Sequence, residues 1–165
     1  MDSSPAADAA LRKIRWALAV FFLGLVASGV TAFPLQTELE HLVAKRGFAE
    51  ATPDATASSL DRWLVTVRDG LRDSYGKHPW LAYGTDWLAF AHIVLAVFFI
   101  GPCIDPVRNL WVLQAGLIAC VLVLPLALIC GPLRGIPFGW RLLDCSFGVF
   151  GAVPLCYCIR MVRRL

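Results

Sequence analysis

The chain has 165 residues, 58% of them hydrophobic and 16% charged, with a mean hydropathy of +0.67 and a formal net charge of +3. A soluble domain is nearer half apolar and a quarter charged, and here the charges leave long stretches almost free of them, which points to a bilayer. No basic face with reading side chains is present, so a nucleic-acid partner is excluded. The six cysteines lie in or beside apolar segments, unlike the loop cysteines of a secreted disulfide scaffold.

In chain order, residues 1–13 form a polar cytoplasmic tail in which Arg12 and Lys13, followed by Arg15, precede an apolar run from Trp16 to about Leu35. That run is long enough to cross a bilayer and gives a first span over 14–35. A cleaved signal peptide is the rival reading, because Val30-Thr31-Ala32 resembles a small-residue cleavage site.

Residues 36–83 form an external segment with two amphipathic helices. Thr37 and Glu40 have capping-box spacing ahead of the apolar stripe Leu39, Leu42 and Val43, and Gly47 closes it. After an alanine- and threonine-rich linker (48–57), Ser58 and Asp61 suggest a second cap. Its apolar face is Leu60, Trp63, Leu64, Val67 and Leu71, with Arg62, Arg68, Asp69, Arg72 and Asp73 on the other side. Both helices suit a membrane surface.

Further spans are expected over 84–104, 108–131 and 141–160, with an external loop over 132–140 and a cytoplasmic tail over 161–165. Asp105 before Pro106 reads as a cap with proline at the first helical position, making the second and third spans a tight hairpin. Pro125 should kink the third span. Gly24, Gly29, Gly116, Gly148 and Gly151 should let helices approach closely.

Orientation follows from the short flanks. Arg12, Lys13, Arg15, Arg108, Arg160, Arg163 and Arg164 fall on one side, against Arg134 and Arg141 on the other. The positive-inside rule then places both termini in the cytoplasm. Trp16 and Trp111 at one interface, and Trp80, Trp87 and Trp140 at the other, agree with it.

The residues with chemistry gather near the outer end of the spans: Asp86, His92, Arg134, Arg141 and Asp144. Ionisable groups in a membrane are costly and face a bundle interior or a wet cavity, which makes these site candidates. Arg141 and Asp144 stand three apart and can pair along one helix face, so a purely structural ion pair is the plainer alternative. His92 lies within a span and suits a haem ligand, but His41 and His78 are external and offer no second ligand at its depth. Cys130 and Cys145 flank the outer loop, which leaves an external disulfide open. No His-Glu-x-x-His, phosphate-loop or Gly-x-Ser-x-Gly motif is present, and no metal site is expected.

The stretches Tyr83–His92 (YGTDWLAFAH), Gly101–Val112 (GPCIDPVRNLWV) and Pro132–Gly148 (PLRGIPFGWRLLDCSFG), with SGVTAFP at Ser28–Pro34, resemble an uncharacterised family of four-span bacterial inner-membrane proteins. The resemblance implies a bacterial inner-membrane setting and no particular activity or cofactor.

The expected fold is an all-α integral membrane protein of four transmembrane helices plus two amphipathic surface helices between the first two spans. Three functions remain open. One is a non-catalytic accessory or binding protein, associated with other membrane-protein subunits, with itself or with lipid. Another is a redox protein holding haem or quinone near His92. The last is a small carrier or membrane enzyme using the charged cluster.

Overall fold

The computed structural model describes residues 5–49 and 57–165, and those residues are mostly helical with no strand. Much of the 48–57 linker and the start of the N-terminal tail therefore lie outside the described residues. The elements are α1 (Pro5–Ala32), α2 (Leu35–Lys45), α3 (Ser59–Lys77), a 3-10 turn (Pro79–Leu81), α4 (Ala82–Ile104), α5 (Leu110–Pro125), a π-helical turn (Leu126–Cys130), α6 (Gly131–Leu133) and α7 (Phe138–Val162). Four stretches are long and apolar enough to cross a membrane: Ala7–Ala32, Pro79–Ile104, Leu110–Leu133 and Phe138–Val162. In each, only 11–22% of the most apolar window is buried, so most of the apolar surface faces outward, as spans bathed in lipid require.

Several helix boundaries differ from the sequence reading for local reasons. α1 is already helical at Pro5, the first described residue, well before residue 14, and the alanines that follow favour helix. It stops at Ala32 because Pro34 disfavours helical geometry in Phe33. Asp105 caps a turn and not α5: its carboxylate accepts from the Arg108 backbone N–H at 3.0 Å, and α5 starts only after Asn109. Beyond Pro125, which has no N–H to donate, the helical ladder widens into the π turn.

The chain forms two compact units, Met1–Gly24 with Leu95–Leu165, and Leu25–Val94. In the first, α5 packs along α7 around Leu113 and Leu155, which are fully buried. A Cβ on Gly148 would lie 2.5 Å from the Cys120 carbonyl oxygen, and one on Gly116 would lie 2.6 Å from the Phe99 ring. A Cβ on Gly151 would lie 2.8 Å from Cys120 Sγ. Phe99 also meets Phe21 at 4.7 Å between ring centroids. Arg15 donates to the Ile104 carbonyl at 2.9 Å, and Cys158 Sγ donates to the Ile14 carbonyl at 3.8 Å. These two contacts bring the start of α1, the end of α4 and the end of α7 to one end of the unit. Arg12, Lys13, Arg15, Arg108, Arg160, Arg163 and Arg164 therefore share that end.

In the second unit, Gly29 of α1 meets α4 closely, where a Cβ would lie 2.9 Å from the Ala89 carbonyl oxygen. Gly24 has nothing within 4 Å, so of the five glycines expected at close approaches it alone is not at one. α2 and α3 pack as a hairpin through Leu39, Val43, Leu64 and Val65, all buried.

Gly148 supplies a direct test of the packing. Gly148→Ala should cost about 1–3 kcal/mol, because the obstacle is backbone and a helix must move. Gly139→Ala, whose Cβ would meet nothing within 4 Å, should be neutral. Thermal unfolding in detergent reads the difference, and equal melting temperatures for the two variants would contradict the close approach.

Candidate functional site

The five candidate residues divide between the units. Asp86 and His92 belong to one, and Arg134, Arg141 and Asp144 to the other. The convergence on one cavity that a carrier or enzyme needs is not given by the contacts within either unit.

Arg141 and Asp144 do not pair. The Arg141 side chain leans toward the start of α7, as helical side chains do. Its guanidinium carbon sits 5.2 Å from the centroid of Phe138, and its Cδ and Cγ fill the space beside Gly131, 2.6 and 2.8 Å from where a Cβ would stand. Asp144 is exposed and one turn further along, on the side Arg141 leans away from. A base placed ahead of an acid on a helix is the less favourable order, so the expected pair gives way to packing and a cation–π contact. Arg141 Nε is buried with no hydrogen-bond partner among the described residues. Arg134 follows α6, where its backbone N–H donates to the Cys130 and Gly131 carbonyls at 3.1 Å, and its side chain is exposed. Cys130 and Cys145 are both free thiols, so the disulfide is not formed.

Asp86 is half-buried and makes no side-chain hydrogen bond or ion pair among the described residues. His92 Nδ1 lies 2.8 Å from the Leu88 carbonyl oxygen. A carbonyl can only accept, so Nδ1 is the donor in this contact, the tautomer that leaves the Nε2 lone pair free in a neutral ring. His41 makes the same bond to Thr37 within α2, and His78 lies against Trp80 at 5.1 Å between rings. No group of three or more His, Cys, Asp or Glu that could hold a metal ion occurs among the described residues.

Sequence reasoning misplaced the most engaged charge. Arg68, assigned to the polar face of α3, is only 5% exposed. It donates to the Phe48 and Ala49 carbonyls at 2.6 and 3.0 Å and to the Asp69 carboxylate at 2.8 Å. Its spacing four residues after the buried Leu64 was the available signal, masked by its charge. Leu60, assigned to the apolar face, is 40% exposed.

The hairpin caps also divide. Ser58 Oγ accepts from the Asp61 N–H at 3.1 Å and donates to its carboxylate at 2.6 Å, as the spacing suggested. That hydroxyl, and then Arg46 at 2.6 Å, hold the Asp61 carboxyl below its ordinary range. Thr37 caps nothing and sits inside α2, because α2 starts directly after Pro34. Glu40 instead accepts from Gln36 at 3.1 Å and Arg72 at 3.4 Å, which hold its carboxyl low.

No family model matches this chain, and no curated protein or solved structure matches it either.

The separation of Arg141 from Asp144 is testable by a double-mutant cycle of Arg141→Gln and Asp144→Asn in detergent unfolding. The coupling should stay below roughly 0.5 kcal/mol, the level at which independent sites add. A larger favourable coupling would restore the ion pair.

Proposed function

We propose that this chain is a multi-pass protein of a bacterial inner membrane with both termini in the cytoplasm. In this reading it is a non-catalytic accessory or binding protein that presents the α2–α3 hairpin to another membrane-protein subunit. Its orientation is supported by the seven basic residues gathered at one end of the first unit. Its setting is supported by four helices long and apolar enough to span.

The observation that carries the binding reading is the preformed state of the hairpin. Buried Arg68 fastens the backbone at Phe48 and Ala49, and Arg46–Asp61 and Arg72–Glu40 tie α2 to α3. Leu42 and Leu60 are left 43% and 40% exposed. A rigid surface with apolar points loses little entropy on docking.

A photo-crosslinking residue at Leu42 or Leu60, in native membranes, should give a stoichiometric adduct to one protein of defined mass. Arg68→Ala leaves two carbonyls without their charged donor, should cost the hairpin about 2–3 kcal/mol, and should remove the adduct. Adducts to lipid alone, or substrate turnover by the purified chain on its own, would overturn the reading.

A second reading, a haem- or quinone-binding protein, is favoured by the His92 geometry. Ligating histidines commonly donate their other ring N–H to a backbone carbonyl, as Nδ1 does here to Leu88. A two-histidine haem would take its second ligand from another chain. The protein purified in mild detergent should then show a Soret band that shifts on reduction and is lost in His92→Ala. A colourless preparation removes haem, and one without extractable quinone removes the whole reading.

A further inference from the structure

A groove of about 470 Å³ runs between α5 and α7 within the first unit. Its wall on α5 includes Cys120 and Leu124, and its floor along α7 includes Gly148, Ala152, Tyr157 and Arg160. Gly148, Ala152 and Arg160 recur at multiples of four, so they line one face of α7. From Gly148 to Arg160 the helix rises about 18 Å, close to the roughly 15 Å depth of one leaflet's hydrocarbon. The groove is apolar along its length and ends at a guanidinium. Arg160 is exposed and makes no side-chain hydrogen bond or ion pair among the described residues.

We infer that this groove holds an acyl chain of an anionic phospholipid, with the lipid phosphate on Arg160. The groove opens on a span, where the surrounding solvent is lipid. The charge at its end is complementary to a phosphate and belongs to the basic end built from Arg12, Lys13, Arg15, Arg108, Arg160, Arg163 and Arg164. Clusters of this kind beside a span attract anionic headgroups. A second copy of the chain fits less well. Copies inserted in one orientation would bring basic end against basic end, and at that end the Asp105 carboxylate already pairs with Arg108 at 3.5 Å. Guanidinium and phosphate meet through two parallel hydrogen bonds, a geometry arginine supplies and lysine does not. The inference stands apart from the hairpin reading, so Arg68→Ala should leave lipid retention unchanged.

Native mass spectrometry of the full chain, titrated with phosphatidylglycerol or with phosphatidylcholine of the same acyl chains, tests the site. One phosphatidylglycerol should be retained per chain in clear preference to phosphatidylcholine. Arg160→Gln should lower that retention roughly fivefold, the weight of one arginine at an anionic surface. Ala152→Leu, which fills the floor, should lower retention of both lipids. Arg164→Gln makes the same charge change outside the groove and should have little effect.

Equal retention of the two lipids, or an equal loss in Arg160→Gln and Arg164→Gln, would overturn the site in favour of diffuse attraction to the basic end. A dimer disulfide-linked through Cys156 in oxidised membranes would overturn it in favour of a second copy. If Ala152→Leu does not fold, maleimide labelling of Cys156, which also lines the groove, decides in the wild-type chain. Phosphatidylglycerol should slow that labelling and phosphatidylcholine should not, and equal rates would count against the site.

Discussion

The contact on which the first unit depends is the approach of α7 to α5 at Gly148, beneath the Cys120 carbonyl. Lipid tails are as apolar as leucine, so the hydrophobic effect that drives soluble helices together is absent between spans. What remains is van der Waals contact, which is short-ranged and rewards backbones that come close. Gly151 against Cys120 Sγ and Gly116 against Leu155, 3.1 Å from where a Cβ would stand, extend the same contact along the pair. With the pair fixed, the ends of α1 and α4 find their places through Arg15 on the Ile104 carbonyl and Cys158 on the Ile14 carbonyl. The groove has the same origin. Small residues that admit a neighbouring backbone on one side leave α7 thin on the adjoining side, and a channel remains between the helices.

The hairpin outside the spans obeys different rules, and magnitudes separate its contributions. Exposed ion pairs are screened by water and contribute little, and Arg46–Asp61 and Arg72–Glu40 involve arginines that are 42% and 50% exposed. Burying a leucine or valine contributes roughly 1.5–3 kcal/mol, and four such residues are buried between α2 and α3. Apolar contact holds the helices together, while the ion pairs set their register. Arg68 belongs to neither class. A buried guanidinium is tolerable only because two carbonyls and a carboxylate receive it, and it fixes the chain that leaves α2.

How much was legible in the sequence follows from the range of each interaction. Spans announce themselves through composition, and four helices long and apolar enough to cross a membrane were readable from it. Gly47, with φ +87°, closes α2 where only glycine fits easily, and it too was readable. Side-chain pairing was less so. Arg141 and Asp144 satisfy a spacing rule, yet the neighbour that decides is Gly131, ten residues away across a turn. Thr37 and Glu40 likewise match a cap pattern that Pro34 pre-empts by starting the helix earlier. The small residues of α7 were visible one at a time, but their alignment with Arg160 along one wall required knowing which face α5 covers.

Unpaired charges at span ends are not costly in themselves, because water and headgroups supply partners there. Asp144 and Arg134 are exposed, and nothing near either shapes a ligand. An unpaired charge becomes informative when its surroundings also select a shape. Arg160 meets that condition, since the groove leading to it is mostly apolar and has a volume of about 470 Å³. His92 meets a weaker form of it: Nδ1 is committed to Leu88, and the one close approach seen beside it is at Gly29, where the His92 Cβ would stand 3.2 Å from an added Cβ. By that criterion the end of α7 is the more strongly specified site. The lipid site proposed there and the docking surface proposed at the hairpin are compatible, because they draw on different units and on different chemistry.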